Sequence, residues 1–164
     1  MNYNLLVDGY NLLFQNPELR KILERDLEQA RKILINQLEE YASKNNLHIL
    51  IVFDGDIKMK SRDESRSRVN VCFSESPEKA DPLIKRLLEK TGKNRDFTVV
   101  TSDNEISNYA RLCGVSVISS QKFAEQISTH FSDGVEKKYS HSMTNTELTE
   151  WMGLFGDQED ISEK

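Results

Sequence analysis

A chain of 164 residues with 37% hydrophobic and 30% charged side chains has the size and composition of one soluble globular domain, which excludes a stapled miniprotein and a disordered chain. No apolar run approaches the roughly 18 residues that span a bilayer, so no membrane association is expected, and the first residues lack the marks of a secretory signal. Two cysteines, Cys72 and Cys113, are too few for a disulfide framework and suggest a cytoplasmic protein, while the net charge of −5 taken alone disfavours a polyanionic partner.

In chain order, the first predicted element is a strand over Asn4–Asp8, a nearly continuous apolar run ending in aspartate. A long amphipathic helix follows, starting at the cap-and-proline pair Asn16-Pro17 and stopping at Asn45-Asn46. Leu19, Ile22, Leu23, Leu27, Ala30, Ile33, Leu34, Leu38, Tyr41 and Ala42 make its apolar stripe. A second buried strand is expected over His48–Asp54 and a third over Val69–Phe73. Between them, Lys58–Arg68 carries five basic and two acidic residues and is expected to be an exposed loop. Helices over 78–91, 103–113 and 120–130 alternate with strands at Phe97–Thr101 and Val115–Ile118. A terminal helix region over 144–155 carries Leu148, Trp151, Met152, Leu154 and Phe155 as a packing face, and 157–164 is an acidic tail. Strand–helix alternation predicts a three-layer α/β/α sandwich around a mostly parallel sheet, one domain over 1–156.

In an open parallel sheet, ligands gather beyond the carboxyl ends of the strands. Asp8 ends the first strand, Asp54 the second, and Asp103 follows the fourth, while Asp81 enters the helix after the third. Any one of these has an ordinary explanation, because aspartate favours caps and turns. Four at one sheet edge repel each other, and a divalent cation removes that conflict. Oxygen donors without clustered nitrogen or sulfur favour Mg²⁺ or Mn²⁺. Phosphodiester hydrolysis is the chemistry suited to such a site, with Asn11 and Ser102 as polar neighbours that orient water or phosphate.

The segments Val7-Asp8-Gly9-Tyr10-Asn11, Val52-Phe53-Asp54-Gly55, Ala80-Asp81 and Val100-Thr101-Ser102-Asp103 resemble, in this order, the NYN family of PIN-like metal-dependent nucleases, and in particular its bacterial YacP-like branch. The likeness runs from Asn4 to about Ile127. It implies a PIN-like fold and endoribonuclease activity with Mg²⁺ or Mn²⁺. Asp8, Asp54, Asp81 and Asp103 would be the catalytic metal ligands, with Asn11 and Ser102 in support. The implied substrate is RNA, single-stranded and extending to messenger RNA in a ribosome-associated setting.

Lys58, Lys60, Arg62, Arg66 and Arg68 follow the second strand on the acidic edge and are candidates to hold the RNA backbone. Tyr10 is expected to pack beneath the first loop, and Cys72 to lie in the core. His48 is read as structural, and His130 and His141 lie beyond the site. Phe53-Asp54-Gly55-Asp56 suggests a phosphatase of the haloacid dehalogenase type, but it sits on the second strand and no Gly-Thr follows it. Neither a P-loop nor a dinucleotide fingerprint is present. The remaining alternative is a non-catalytic RNA- or ribosome-binding module. The acidic total does not oppose RNA: without the four aspartates and the tail, the remaining charge is +2.

Overall fold

Five strands form one sheet in the order β3-β2-β1-β4-β5, every neighbouring pair parallel. They are β1 (Leu5–Asp8), β2 (Ile49–Phe53), β3 (Val69–Phe73), β4 (Thr98–Val100) and β5 (Ser116–Ile118). The helices are α1 (Gly9–Gln15), α2 (Pro17–Leu23), α3 (Leu27–Asn45), α4 (Ala80–Thr91), α5 (Asn104–Leu112) and α6 over 120–128. This computed structural model describes residues 3–55, 64–75, 79–91 and 97–128. The chain divides into two units, Met1–Phe131 and Ser132–Lys164, and all described residues belong to the first. The expected helix over 144–155 and the acidic tail lie outside the described residues, as do His130 and His141.

Alternation along the strands sends side chains to both faces. Leu5, Val7, Ile49, Ile51 and Phe53 pack with Leu12, Leu13, Leu34, Leu38 and Phe123 on one side. On the other, Leu6, Val52 and Val99 pack with Ile84, Leu88, Ile106 and Ala110. Helices α1–α3 and α6 therefore cover one face and α4–α5 the other, which is why the three central strands are almost wholly apolar. This is the α/β/α sandwich expected from the sequence, and the sheet is entirely parallel. Among the described residues no helix is long and apolar enough to cross a membrane.

The single long helix expected from Asn16-Pro17 to Asn45-Asn46 is instead two, α2 and α3, and α1 precedes them. Asn16 does cap α2, its side chain accepting from the Glu18 and Leu19 amides at 3.1 and 3.2 Å, with Pro17 in the first turn. A second cap then interrupts the pattern: Asp26 accepts from the Gln29 amide at 3.0 Å and starts α3. The exposed-loop reading of 58–68 also needs correction at its end. Glu64 is buried, and Arg68 is half-buried with its amide held by the Glu39 carboxylate at 2.9 Å. Lys58, Lys60 and Arg62 lie outside the described residues.

Candidate active site

Strand order reverses between β1 and β4, and the crevice at their carboxyl ends is where such sheets bind ligands. Asp8 closes β1 on one side of this crevice, and Thr101, Ser102 and Asp103 leave β4 on the other. Asp8 is buried, 8% exposed, and its carboxylate accepts the Thr101 hydroxyl at 3.1 Å. The same Thr101 oxygen accepts the Asp103 amide at 3.1 Å, so one buried hydroxyl fixes the two acids relative to each other. Asp103 in turn caps α5, accepting the Ile106 amide at 2.9 Å.

Asp54 stands just past β2 and accepts the Ala80 amide, which ties it to the first turn of α4, where Asp81 sits. The helix-cap explanation of Asp103 is thus correct, whereas Asp54, expected to open a turn with Gly55, instead takes the Ala80 amide at the start of α4; in both cases a backbone amide orients the carboxylate at the sheet's carboxyl edge.

Two of the four acids, Asp8 and Asp81, are shifted by burial and by acidic neighbours. Burial raises the Asp8 pKa from 3.8 to about 6; the Thr101 hydroxyl and Asn11 backbone amide pull it down, and Asp81 and Asp103 push it up. Asp81 is likewise raised, first by burial and then by Asp103, Asp54 and Glu105, with Lys85 opposing. Lys85 lies one turn beyond Asp81 and pairs with Glu105. The edge therefore carries more negative charge than its own cations relieve.

Asn11 and Ser102 form a separate polar joint. The Asn11 side-chain oxygen accepts the Ser102 amide at 2.8 Å and the Ser120 hydroxyl at 2.7 Å, and the Ser102 hydroxyl accepts the Ser120 amide at 3.0 Å. With its oxygen doubly engaged, the Asn11 NH₂ group is the end left to donate to a ligand. Thr101 and Ser120 escape sequence reasoning because a lone hydroxyl carries no spacing signal; their buried positions, 1% and 0% exposed, reveal them.

Both glycines after the strand-ending acids are required by close approach. A Cβ on Gly9 would overlap the Phe53 ring and meet the Val52 carbonyl oxygen at 2.9 Å; on Gly55 it would overlap the Ser74 carbonyl oxygen. Gly55 also donates its amide to the Ser74 hydroxyl at 3.1 Å. Gly55→Ala is expected to cost about 1–3 kcal/mol, since backbone rather than a flexible side chain must move. A melting temperature unchanged from wild type would contradict this.

Tyr10 packs as expected, its ring 5.0 Å from that of Phe53. Cys72 is half-buried in β3, its thiol pKa raised by burial; Cys72 and Cys113 are both free thiols. His48 is exposed at the start of β2. In the basic segment, Arg66 donates to the Glu64 and Ser65 carbonyls at 3.0 and 3.3 Å, so it is partly occupied in shaping its own turn.

Among the described residues, no three His, Cys, Asp or Glu side chains are grouped so that they would hold one ion directly. Mg²⁺ commonly binds through one or two carboxylates and keeps several waters. Oxygen-only donors, with Asp8 and Asp81 raised by burial and then by their acidic neighbours, fit an ion held in that hydrated manner.

The motif that contains all of these acids has counterparts. Residues 5–152 match the YacP-like NYN domain. The chain belongs to the YacP-like NYN domain family. It is 35% identical over 101 residues to the uncharacterized protein YacP of Bacillus subtilis strain 168, covering 60% of this chain and 59% of that relative. The aligned stretch thus spans less than two thirds of that relative's length. The crystal structure of Rae1 (YacP) from Bacillus subtilis is similar with a TM-score of 0.63 at 25% identity, over 96% of this chain and 90% of the other. A single-substitution variant of the same protein gives a TM-score of 0.68 at 25% identity, over 89% and 88%. The NYN fold is of the nuclease type.

Proposed function

We propose that this YacP-like NYN protein is a metal-dependent endoribonuclease that hydrolyses RNA phosphodiester bonds in the cytoplasm, with messenger RNA on the ribosome among its substrates. The observation that carries the reading is the mutually repelling set Asp8, Asp54, Asp81 and Asp103 at the strand-order reversal, with Asp8 raised to about 6.

These four carboxylates would hold Mg²⁺ or Mn²⁺ directly or through water. Such an ion supplies charge neutralisation, a more acidic water and stabilisation of the leaving oxygen. The chain's own residues supply placement. Thr101 sets the spacing of Asp8 and Asp103, and a carboxylate not engaged in capping accepts the proton of the attacking water. Asn11, held by Ser102 and Ser120, presents its NH₂ group to a phosphate oxygen. Lys58, Lys60 and Arg62, with Arg66 and Arg68, offset the repulsion between an acidic site and a polyanion.

The test is incubation of the protein with single-stranded RNA and with translating ribosomes, in Mn²⁺ and in chelator. Water attack leaves 5′-phosphate and 3′-hydroxyl ends, and chelation is expected to stop cleavage. A 2′,3′-cyclic phosphate would instead mean attack by the RNA's own 2′-hydroxyl and would overturn the mechanism. RNA binding without cleavage in any condition would make the protein a binding module.

A further inference from the structure

A groove of about 560 Å³ runs between α1–α2 and α6, lined among others by Phe14, Gln15, Arg20, Lys21, Gln121 and Glu125. Its volume is in the range of small-ligand sites. None of the residues assigned to the acidic edge lines it, yet both of its walls are joined to Asn11 and Ser120 along the chain. Asn11 and Phe14 lie three residues apart on α1, so they share a face and differ by about 4.5 Å along the axis. On the opposite wall, Gln121 follows Ser120, the residue that bonds Asn11 at 2.7 Å. The two walls are therefore tied to each other by the Asn11–Ser120 hydrogen bond.

Its chemistry is distinctive. Phe14 is 56% exposed, a large aromatic left in water at the end of a helix whose Leu12 and Leu13 are fully buried. Arg20, Lys21 and Gln121 are also exposed. Two acids, Glu24 and Glu125, line the groove as well, so its charge is balanced. A balanced groove with an exposed ring does not attract a polyanion by its field; it holds a flat apolar face, with amides beside it for polar edges.

We propose that this groove is a base-stacking subsite for single-stranded RNA, receiving a nucleotide next to the phosphodiester at the acidic edge. The proposal rests on the RNA reading above and adds to it where the neighbouring base goes. The base stacks on Phe14, Gln15 and Gln121 face its edge, and Arg20 or Lys21 contacts the following phosphate. A paired duplex hides its base faces and is excluded from this subsite.

Stacking on an aromatic side chain is worth about 1–3 kcal/mol per base, so Phe14→Ala is expected to weaken binding of a fluorescent single-stranded oligoribonucleotide roughly 5- to 150-fold. The anisotropy measurement is made on the full chain in chelator. Phe14→Trp restores affinity, and Phe14→Ala leaves the salt dependence unchanged. Arg20→Ala with Lys21→Ala flattens that dependence by at most about two phosphate contacts. Melting temperatures of these surface variants match wild type. A wild type that binds RNA without cleaving it, yet loses affinity on Phe14→Ala, overturns the hydrolytic reading alone. A wild type that cleaves RNA with all these variants unaffected in affinity and KM overturns the subsite alone. Effects seen only with ribosomes, with free RNA unaffected, would assign the groove to a protein and overturn it too. Absence of any RNA binding by wild type overturns both.

Discussion

Asp8→Asn is expected to abolish RNA cleavage and, at the same time, to make the protein more stable at pH 8. The two effects share one cause. Asp8 is buried at the end of β1 with its pKa raised from 3.8 to about 6, chiefly by burial. A carboxyl that binds its proton more tightly when folded stabilises the fold at low pH. That contribution is present below about pH 4 and is lost as pH rises through about 6. Above that, the ionised side chain costs about 3 kcal/mol, taking 1.36 kcal/mol for each pH unit between the two values. Asparagine keeps the shape and an acceptor for the Thr101 hydroxyl but never ionises.

The melting temperatures of variant and wild type should therefore coincide near pH 4 and separate between pH 4 and 6. Above pH 6 the variant should melt higher by about 5–10 °C. Cleavage should fall on the order of a hundred- to a thousandfold, the scale of losing one group that places charge in a transition state. Mn²⁺ should raise the wild-type melting temperature at pH 8 and that of the variant by less. Equal cleavage by the two proteins would remove Asp8 from the site; equal melting curves across the pH range would remove the buried-charge argument.

Arg31→Met is expected to cost about 3–5 kcal/mol, because it strands Glu64 as an uncompensated buried charge. Arg31 lies on α3 with none of its surface exposed and pairs with Glu64 at 3.3 Å. Its guanidinium carbon sits 5.9 and 5.5 Å from the Phe53 and Phe73 ring centres, and the group reaches the Tyr10 hydroxyl at 3.5 Å. Burial by itself would lower the guanidinium pKa; Glu64 and Tyr10 outweigh it and hold the charge. Yet among the described residues Arg31 Nε and Glu64 Oε2 have no hydrogen-bond partner, so the pair is not fully satisfied there.

An incompletely satisfied buried pair is a poor source of net stability, and apolar replacement of both members is often neutral or favourable. The double variant Arg31→Met/Glu64→Leu should accordingly recover most of the loss. At about 2–4 °C per kcal/mol, the single variant should melt roughly 10 °C below wild type. A single variant within a degree or two of wild type, or a double variant as unstable as the single, would contradict the account.

These two cases mark what the sequence makes legible. Strand runs and their terminal aspartates are visible because a strand buried on both faces must be continuously apolar, and a break in that run is conspicuous. The positions of Asp8, Asp54 and Asp103 at one edge follow from parallel pairing alone. Helix α1 was hidden for a physical reason: Asp8 precedes it without a side-chain capping bond, and Gly9 at its start resembles a turn. The break at Asp26 was hidden because apolar periodicity continues across it. Arg31 was the deepest omission. Its place on α3 is buried with Ala30, Leu34, Ile35 and Leu38, but a charge there is read as a gap in the stripe until its partner, 33 residues away, is seen. Thr101 and Ser120 likewise acquire meaning only through partners distant in the chain.

The sheet order also dictates when the acidic edge can assemble during synthesis. β1 leaves the ribosome first but lies in the middle of the sheet, paired to β2 from residue 49 and to β4 from residue 98. Until β4 emerges, one edge of Leu5–Leu6–Val7 has no neighbour, and the nascent chain carries an open apolar template exposed to aggregation. The Asn11–Ser102–Ser120 joint closes later still, after β5. A chain stopped anywhere before residue 103 lacks an acid of the cluster, and one stopped before residue 120 lacks the joint. The acidic edge is assembled from the whole described length, so premature fragments carry its residues without its geometry.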